Sequence, residues 1–262
     1  MLAKLCPLLF FTIAHIAADD SIRVQAVPRT PESSTIVLKI ALPQGGEVLN
    51  PPVFIQFRID GFALGAASSF ERASEVAVSK MGQTVHVIID DHPYFPINEP
   101  AIDPFDESGY YYDTSYKFKI PYRLGSGPHT IRMFPARSFG ESLKGDNTFA
   151  SLQFYVGEQK GTQIDLSVPY LTYNEPSSLM PLQAEKPILL DFYLSNAVLS
   201  PDGYKVRLLI DGQEIQSITT WQPYYIYGLS KGRHTIRLEL LNSKNRLVSG
   251  PFSTVQETIT VH

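Results

Sequence analysis

Gly127-Pro128-His129-Thr130-Ile131-Arg132-Met133 returns later in the chain as Gly232-Arg233-His234-Thr235-Ile236-Arg237-Leu238. Two further pairs of segments precede it in the same order. Pro52-Val53-Phe54-Ile55-Gln56-Phe57-Arg58-Ile59 matches Pro187-Ile188-Leu189-Leu190-Asp191-Phe192-Tyr193-Leu194 in hydrophobic pattern. Val85-His86-Val87-Ile88-Ile89-Asp90-Asp91 parallels Val206-Arg207-Leu208-Leu209-Ile210-Asp211-Gly212. Three matched segments in one order describe a tandem duplication, with copies at residues 21–158 and 159–262. A chain of 262 residues, 44% hydrophobic, carries enough apolar material for two such cores.

Each copy reads as strands because its apolar residues alternate with period two. In the second copy Ile188, Leu190, Phe192 and Leu194 share one parity, as do Tyr204, Val206, Leu208 and Ile210, while Lys205, Arg207, Arg237 and Glu239 fall on the other. In the first copy the sets include Ile36, Leu38, Ile40 and Leu42, then Val53, Ile55, Phe57 and Ile59, then Val85, Val87 and Ile89. One dry and one wet face per strand is what two packed antiparallel sheets require. Turn signals such as Pro43-Gln44-Gly45-Gly46, Pro201-Asp202-Gly203 and Asp211-Gly212 separate the strands. The fold class expected is therefore all-β: two tandem immunoglobulin-like antiparallel β-sandwiches.

Leu229-Ser230-Lys231-Gly232-Arg233-His234-Thr235-Ile236-Arg237-Leu238, preceded by Val206 to Gly212, resembles the turn-and-strand segment near the end of bacterial immunoglobulin-like and fibronectin type III-like domains, which occur in tandem on exported proteins. The resemblance covers residues 185–262 well and the first copy loosely. It implies a sandwich fold and leaves adhesion, spacing, sugar binding and enzyme-accessory roles all open. The disulfide cysteines and core tryptophan of antibody-type domains are lacking, which sets that branch aside.

Residues 1–18 read as a secretory signal peptide: Lys4, then an apolar run from Leu5 to Ala18 ending in Ala17-Ala18 before Asp19-Asp20. As a helix the run reaches only about 21 Å, short of the ~30 Å hydrocarbon core, so no transmembrane anchor is expected after cleavage behind Ala18. Cys6, the one cysteine, lies inside this segment, in a poor lipoprotein context. The remainder has no thiol for a disulfide, a metal or a nucleophile, and no Asn-x-Ser/Thr site. These features fit an exported bacterial protein, whether periplasmic, secreted or at the cell surface. A net charge of −4 leaves no basic excess for nucleic acid.

The first copy carries about 16 extra residues between Asp90 and Ile131 relative to Asp211 and Ile236, and they fall in the loop 92–115. Tyr94, Phe95, Phe105, Tyr110, Tyr111 and Tyr112 in that loop, with Trp221 and Tyr224 in the second copy, are the candidate contacts for a protein or glycan. The alternative is that the loop aromatics fold back over a sheet edge or the joint between modules. Alternation places Tyr225 and Tyr227 on one face and Tyr224 on the other, so about half of that cluster is expected in the core.

Acids beside these aromatics raise calcium as a cofactor, with Asp90, His92, Asp103, Asp106 and Glu107 as candidate ligands, although Asp-x-Asp-x-Asp-Gly spacing is lacking. His86, Asp90 and His92 share the outward parity of one strand; only Asp90 and His92 are close enough to share an ion, so a solvated face is expected there. His129 and His234 have inward parity just after a Gly turn, where a ring can plug the sandwich end and bond a turn carbonyl. No Gly-x-Ser-x-Gly, His-Glu-x-x-His or Gly-x-Gly-x-x-Gly occurs.

The expected function is thus a non-catalytic binding or spacer protein of the bacterial envelope. The alternatives are a carbohydrate-binding module, calcium-assisted or not, and a hydrolase using loop carboxylates, for which the joint between modules is the one place with room for a deep cleft. Whether that joint is rigid or hinged at residues 157–161 is left open by the chain order.

Overall fold

A computed structural model describes residues 21–99 and 115–262. The signal segment 1–18 therefore lies outside the described residues, as do Asp103, Phe105, Asp106, Glu107, Tyr110, Tyr111 and Tyr112. The chain opens with β1 (Arg23–Ala26), β2 (Val37–Leu42), β3 (Val48–Leu49) and β4 (Phe54–Asp60), followed by the short helix α1 (Arg72–Glu75). β5 (Thr84–Ile89), β6 (Phe95–Ile97), β7 (Ser115–Lys119), β8 (Gly127–Ala136) and β9 (Ala150–Val156) complete the first module. The second consists of β10 (Tyr170–Glu175), β11 (Ile188–Ser195), β12 (Lys205–Ile210), β13 (Gln213–Ile218), β14 (Tyr224–Tyr227), β15 (Gly232–Leu241) and β16 (Thr254–Val261). Among the described residues no helix is long and apolar enough to cross a membrane.

In the first module sheet β2-β4-β7 faces sheet β3-β9-β8-β5-β6; in the second, β1-β14-β11-β10 faces β13-β12-β15-β16. Apart from β1 and β3, the two modules have one strand order, and each pair of matched sequence segments occupies equivalent strands: β4 with β11, β5 with β12, β8 with β15. The chain is thus an all-β protein of immunoglobulin-like sandwiches. The inward parity sets fill the two cores, with Ile55, Phe57, Ile131 and Phe154 in the first and Leu190, Phe192, Leu208 and Ile236 in the second. Leu42 departs from its expected place and is exposed, because a register irregularity between Ile40 and Leu42 turns the strand over. Asp211-Gly212 forms the two-residue turn joining β12 to β13, both residues at positive φ, as a tight right-twisted hairpin needs.

Two features depart from the sequence reading. The repeat assigns residue 21 onward to the first module, yet β1 pairs antiparallel with β14 of the second, Val24 opposite Ile226. It covers a strand edge whose N–H and C=O groups would otherwise stand open. The chain then crosses back, with Val27 N–H donating to Pro223 O, Thr30 N–H to Glu141 Oε1, and the Lys144 and Gly145 amides to Glu32.

The expected wet outer face also fails where the modules meet. β5 and β11 are buried along their whole lengths, whereas β12 alternates strictly. The outer face of β5 and β8 lies against that of β10 and β11, so these four strands are dry on both sides. Ile88, Phe134, Tyr94 and Tyr193 form one apolar cluster across the seam, and Phe139, Val76, Leu189 and Tyr225 form another.

Candidate functional site

The seam holds the densest polar chemistry among the described residues. Lys144, from the β8–β9 loop, reaches Asp191 of β11 at 2.5 Å, and both side chains are fully buried. Two such charges in a low-dielectric interior persist only if their remaining hydrogen-bonding capacity is met. Here it is: Asp191 also accepts from the Ser142 hydroxyl at 2.5 Å and the Asn174 amide at 2.7 Å, and Lys144 donates to Ser142 O and Oγ. Asn174 Oδ1 lies 2.6 Å from His86 Nδ1, which carries the network from the second module back into the first.

His86 is the clearest correction. Its outward parity predicts a solvated ring, but the second module covers that face and the ring is buried. Burial pushes its pKa down to about 4, against the raising effect of the Asn174 bond and the Asp191 charge, so the imidazole is neutral at pH 7. Tyr94 stacks on it, ring centroids 3.8 Å apart and nearly parallel. The Tyr94 hydroxyl meets Glu175 Oε1 at 2.6 Å and Ser177 Oγ at 2.9 Å, and the Ser177 amide donates to Glu175 Oε2 at 2.7 Å. Burial raises the Glu175 pKa to about 8 in spite of those bonds, so this carboxyl carries a proton at neutral pH.

Arg132 of β8 crosses the same seam. Its guanidinium donates to Leu171 O and Thr172 Oγ1, both at 3.1 Å, and to Asp90 O, and lies 3.7 Å over the Phe252 ring. None of these partners is a carboxylate. Burial lowers its pKa to about 10, and its Nε, though buried, has no partner. On the opposite flank, Arg72 of α1 joins Glu141, Pro28 O and Tyr225 Oη.

Among the clefts that the described residues leave along this seam, two border the polar network. The larger has a volume of about 480 Å³, inside the ~300–1,000 Å³ range of small-molecule sites, and is lined by His86, Tyr94, Glu175, Arg137 and Leu179 among others. The smaller, of about 210 Å³, is lined by Arg132, Asp91, Glu257 and Phe252, with Tyr94, Ser178 and Leu179 as the wall shared by both.

The sequence-predicted residues are distributed unevenly around this site. Tyr94 belongs to it. Phe95 turns into the first core, edge-on to Phe118 at 5.6 Å, and Tyr224 lies in the second core with its hydroxyl on Thr220 O. Trp221 sits at the seam margin: Nε1 donates to Phe192 O, Tyr193 packs edge-on at 5.0 Å and Arg29 covers its face at 4.9 Å. Asp90 is occupied by His129 Nδ1 at 2.7 Å and the Thr130 amide at 2.7 Å, while the His92 ring lies against Tyr122. Among the described residues no three His, Cys, Asp or Glu side chains gather in a metal-binding group. Sequence reasoning missed Glu175, Asp191, Lys144 and Arg132. The signal was there in Leu189 and Tyr193, apolar on the parity that should be wet, and in Phe134 standing where the second copy has Glu239.

No family model matches the chain, and no curated protein does. Among solved structures, the fibronectin(III)-like modules of Clostridium thermocellum CbhA are 13% identical over 86% of this chain and 94% of that one, with a TM-score of 0.29. Dimeric latent PorU from Porphyromonas gingivalis is 14% identical over 95% of this chain, which spans only 21% of PorU, with a TM-score of 0.26. The FN1-FN3 domains of chicken CNTN1 are 13% identical over 90% of this chain and 65% of that one, with a TM-score of 0.21. At TM-scores below 0.5 these likenesses carry no argument about this chain, and its fold rests on the strand order and register described above.

Proposed function

We propose that this chain is a non-catalytic, exported binding protein that holds a protein or glycan partner of the bacterial envelope at the module seam. The observation that carries the reading is the seam itself: a buried polar and aromatic junction that fixes two sandwiches together and leaves a cleft of about 480 Å³ between them. Its titratable groups are engaged in holding the modules, His86 by Asn174 and Glu175 by Tyr94 and Ser177, which supports binding over turnover. The signal-like segment 1–18 supports export, and an exported two-core chain with no cysteine beyond that segment fits a bacterial envelope better than a eukaryotic secretory pathway. Tyr110, Tyr111 and Tyr112, which lie outside the described residues, stay candidate contacts on composition alone.

The test is to probe glycan arrays and envelope protein fractions with the intact chain and with Leu179→Trp, which fills the rim common to both clefts. The reading expects one partner class to be retained and the variant to bind it at least about tenfold more weakly with an unchanged melting temperature. A partner held equally well by the variant moves the function off the seam. A substrate turned over by the wild type and spared by Glu175→Gln makes the protein an enzyme.

A further inference from the structure

The larger cleft combines apolar walls with two cations that contact no carboxylate among the described residues. Val78, Met81, Leu179, Met180 and Pro181 supply the walls. Two cationic side chains line it, Lys80 and Arg137, and Lys80 has no ion pair among the described residues. Arg137 gives Nη1 to Gln83 Oε1 at 3.0 Å and Nη2 to Pro31 O at 2.8 Å, both neutral acceptors, and its buried Nε has no partner. Glu141 and Glu32 act on the guanidinium through space, raising its pKa against burial, but make their contacts to Arg72 and to the Lys144 and Gly145 amides. Among the described residues Glu175 is the one acidic side chain of the lining, and at pH 7 it is protonated; His86 is neutral, and the carboxyl group of His262 accepts from the Ala184 N–H at 3.1 Å. The smaller cleft differs, since Asp91 and Glu257 line it together with Arg132 and give it both signs of charge.

We infer that the larger cleft binds a small organic acid, an apolar body carrying one carboxylate, with the carboxylate held by Arg137 and Lys80 and the body against Met81, Leu179 and Met180. This rests on the seam being a binding site and adds a small-molecule ligand to the protein or glycan partner proposed for it. An apolar body gains by leaving water for these walls, and a carboxylate offers the charged acceptor that both cations lack. Above about pH 8 Glu175 ionises, beside Tyr94 and Ser177 and within the field of Asp191, and adds a negative charge that opposes the ligand.

Calorimetric titration of the full chain with octanoate, 1-octanol and octylammonium at pH 7 tests the inference. Octanoate is expected to bind about tenfold or more tightly than either of the others, and Lys80→Glu, an exposed change that leaves the fold alone, is expected to reverse that preference. Arg137→Gln should weaken octanoate further; Lys80→Glu keeps the question open to decision if that variant does not fold. Octanoate affinity should fall between pH 7 and 9 in the wild type and stay level in Glu175→Gln. Equal binding of octanol and octanoate, or no octanoate binding by the folded chain at millimolar concentration, overturns the inference. If octanoate fails while Leu179→Trp still abolishes partner binding, the ligand class is wrong and the seam reading stands; if Leu179→Trp has no effect on the partner, the seam reading falls with it.

Discussion

Arg132 and Arg237 occupy the same place in the repeated segment, on equivalent strands, and have opposite fates. Arg237 is 43% exposed and pairs with Glu239 on a solvated face; Arg132 is 2% exposed, bonds Leu171 O and the Thr172 hydroxyl across the seam, and bonds Asp90 O in its own module. The same inversion holds for the other sheet. On β4 of the first module the outer face carries Phe54, Gln56 and Arg58, with Phe54 46% exposed, while the equivalent positions on β11 are Leu189, Asp191 and Tyr193, all buried. The modules therefore meet unlike face to unlike face. Such a contact leaves one free sheet at each end. The free faces carry Lys39, Arg58, Lys117 and Lys119 on one module and Lys205, Arg207 and Arg237 on the other, with Asp60 paired to Arg58 on the first and Glu239 and Glu214 paired to the arginines of the second.

The sharpest way to break the comparison is at its most buried point. Asp191→Ala leaves Lys144 as an unpaired buried charge and should cost about 3–5 kcal/mol in urea unfolding, whereas Gln56→Ala at the equivalent position of the first module should stay within about 0.5 kcal/mol. Comparable losses for both would mean that the seam does not distinguish the two sheets.

Next in size is the arginine pair. Arg132→Ala removes three buried charge-assisted bonds and the cation over Phe252, with an expected loss of about 2–4 kcal/mol; Arg237→Ala removes a half-exposed ion pair and should change stability by less than about 1 kcal/mol.

Glu175 sharpens the comparison through pH. Its folded pKa of about 8 lies above the ordinary glutamate value of 4.5, so the folded state binds more protons than the unfolded state between those limits. Stability from this group is complete below pH 4.5, declines as pH rises through that window, and is fully lost above 8. The isosteric Glu175→Gln should therefore gain on the wild type progressively from pH 5 to 8, measured as the difference in urea midpoints. A constant difference across that range would place a charged carboxylate in the seam.

The smallest effect is one of sameness. His129 and His234 each give Nδ1 to an aspartate at 2.7 Å, Asp90 or Asp211, and Nε2 to a turn carbonyl, Gly125 or Ser230, at 3.0 and 2.9 Å. Both histidine pKa values are raised: the Asp90 bond leads at His129, while at His234 burial opposes and the Asp211 and Ser230 bonds prevail. Each pair contributes stability that is present below pH 6.5 and lost as pH rises through the raised folded value. His129→Asn and His234→Asn should each cost about 1 kcal/mol at pH 6 and less at pH 8, with the two losses equal within about 0.5 kcal/mol.

That last pair was the most legible part of the site. Inward parity and the preceding glycine placed both rings at a strand start facing a turn carbonyl, and the matched Asp90 and Asp211 stood at the end of a matched strand, though their role as partners was not drawn from the spacing. Tyr94 was legible as a candidate but not in its setting, since the ring it stacks on belongs to a strand face that alternation assigns to water. Glu175 gave no sign of its raised pKa, because that follows from its burial in the folded seam, against the lowering effect of the bond from Tyr94, 81 positions away.

Alternation and the repeated segments were sufficient for the strands, their inward faces, the duplication and the Asp211-Gly212 turn, since each depends on residues a few positions apart or on one strand's own period. Which outer face stays wet is another kind of question. A side chain's parity fixes the side of the sheet on which it stands, and what lies beyond that side is decided only when two finished sheets dock. The burial of His86, the role of Arg132, the strand that β1 lends to the second module and the proton on Glu175 all follow from that docking. They are properties of the seam, where residues about a hundred positions apart share one low-dielectric space.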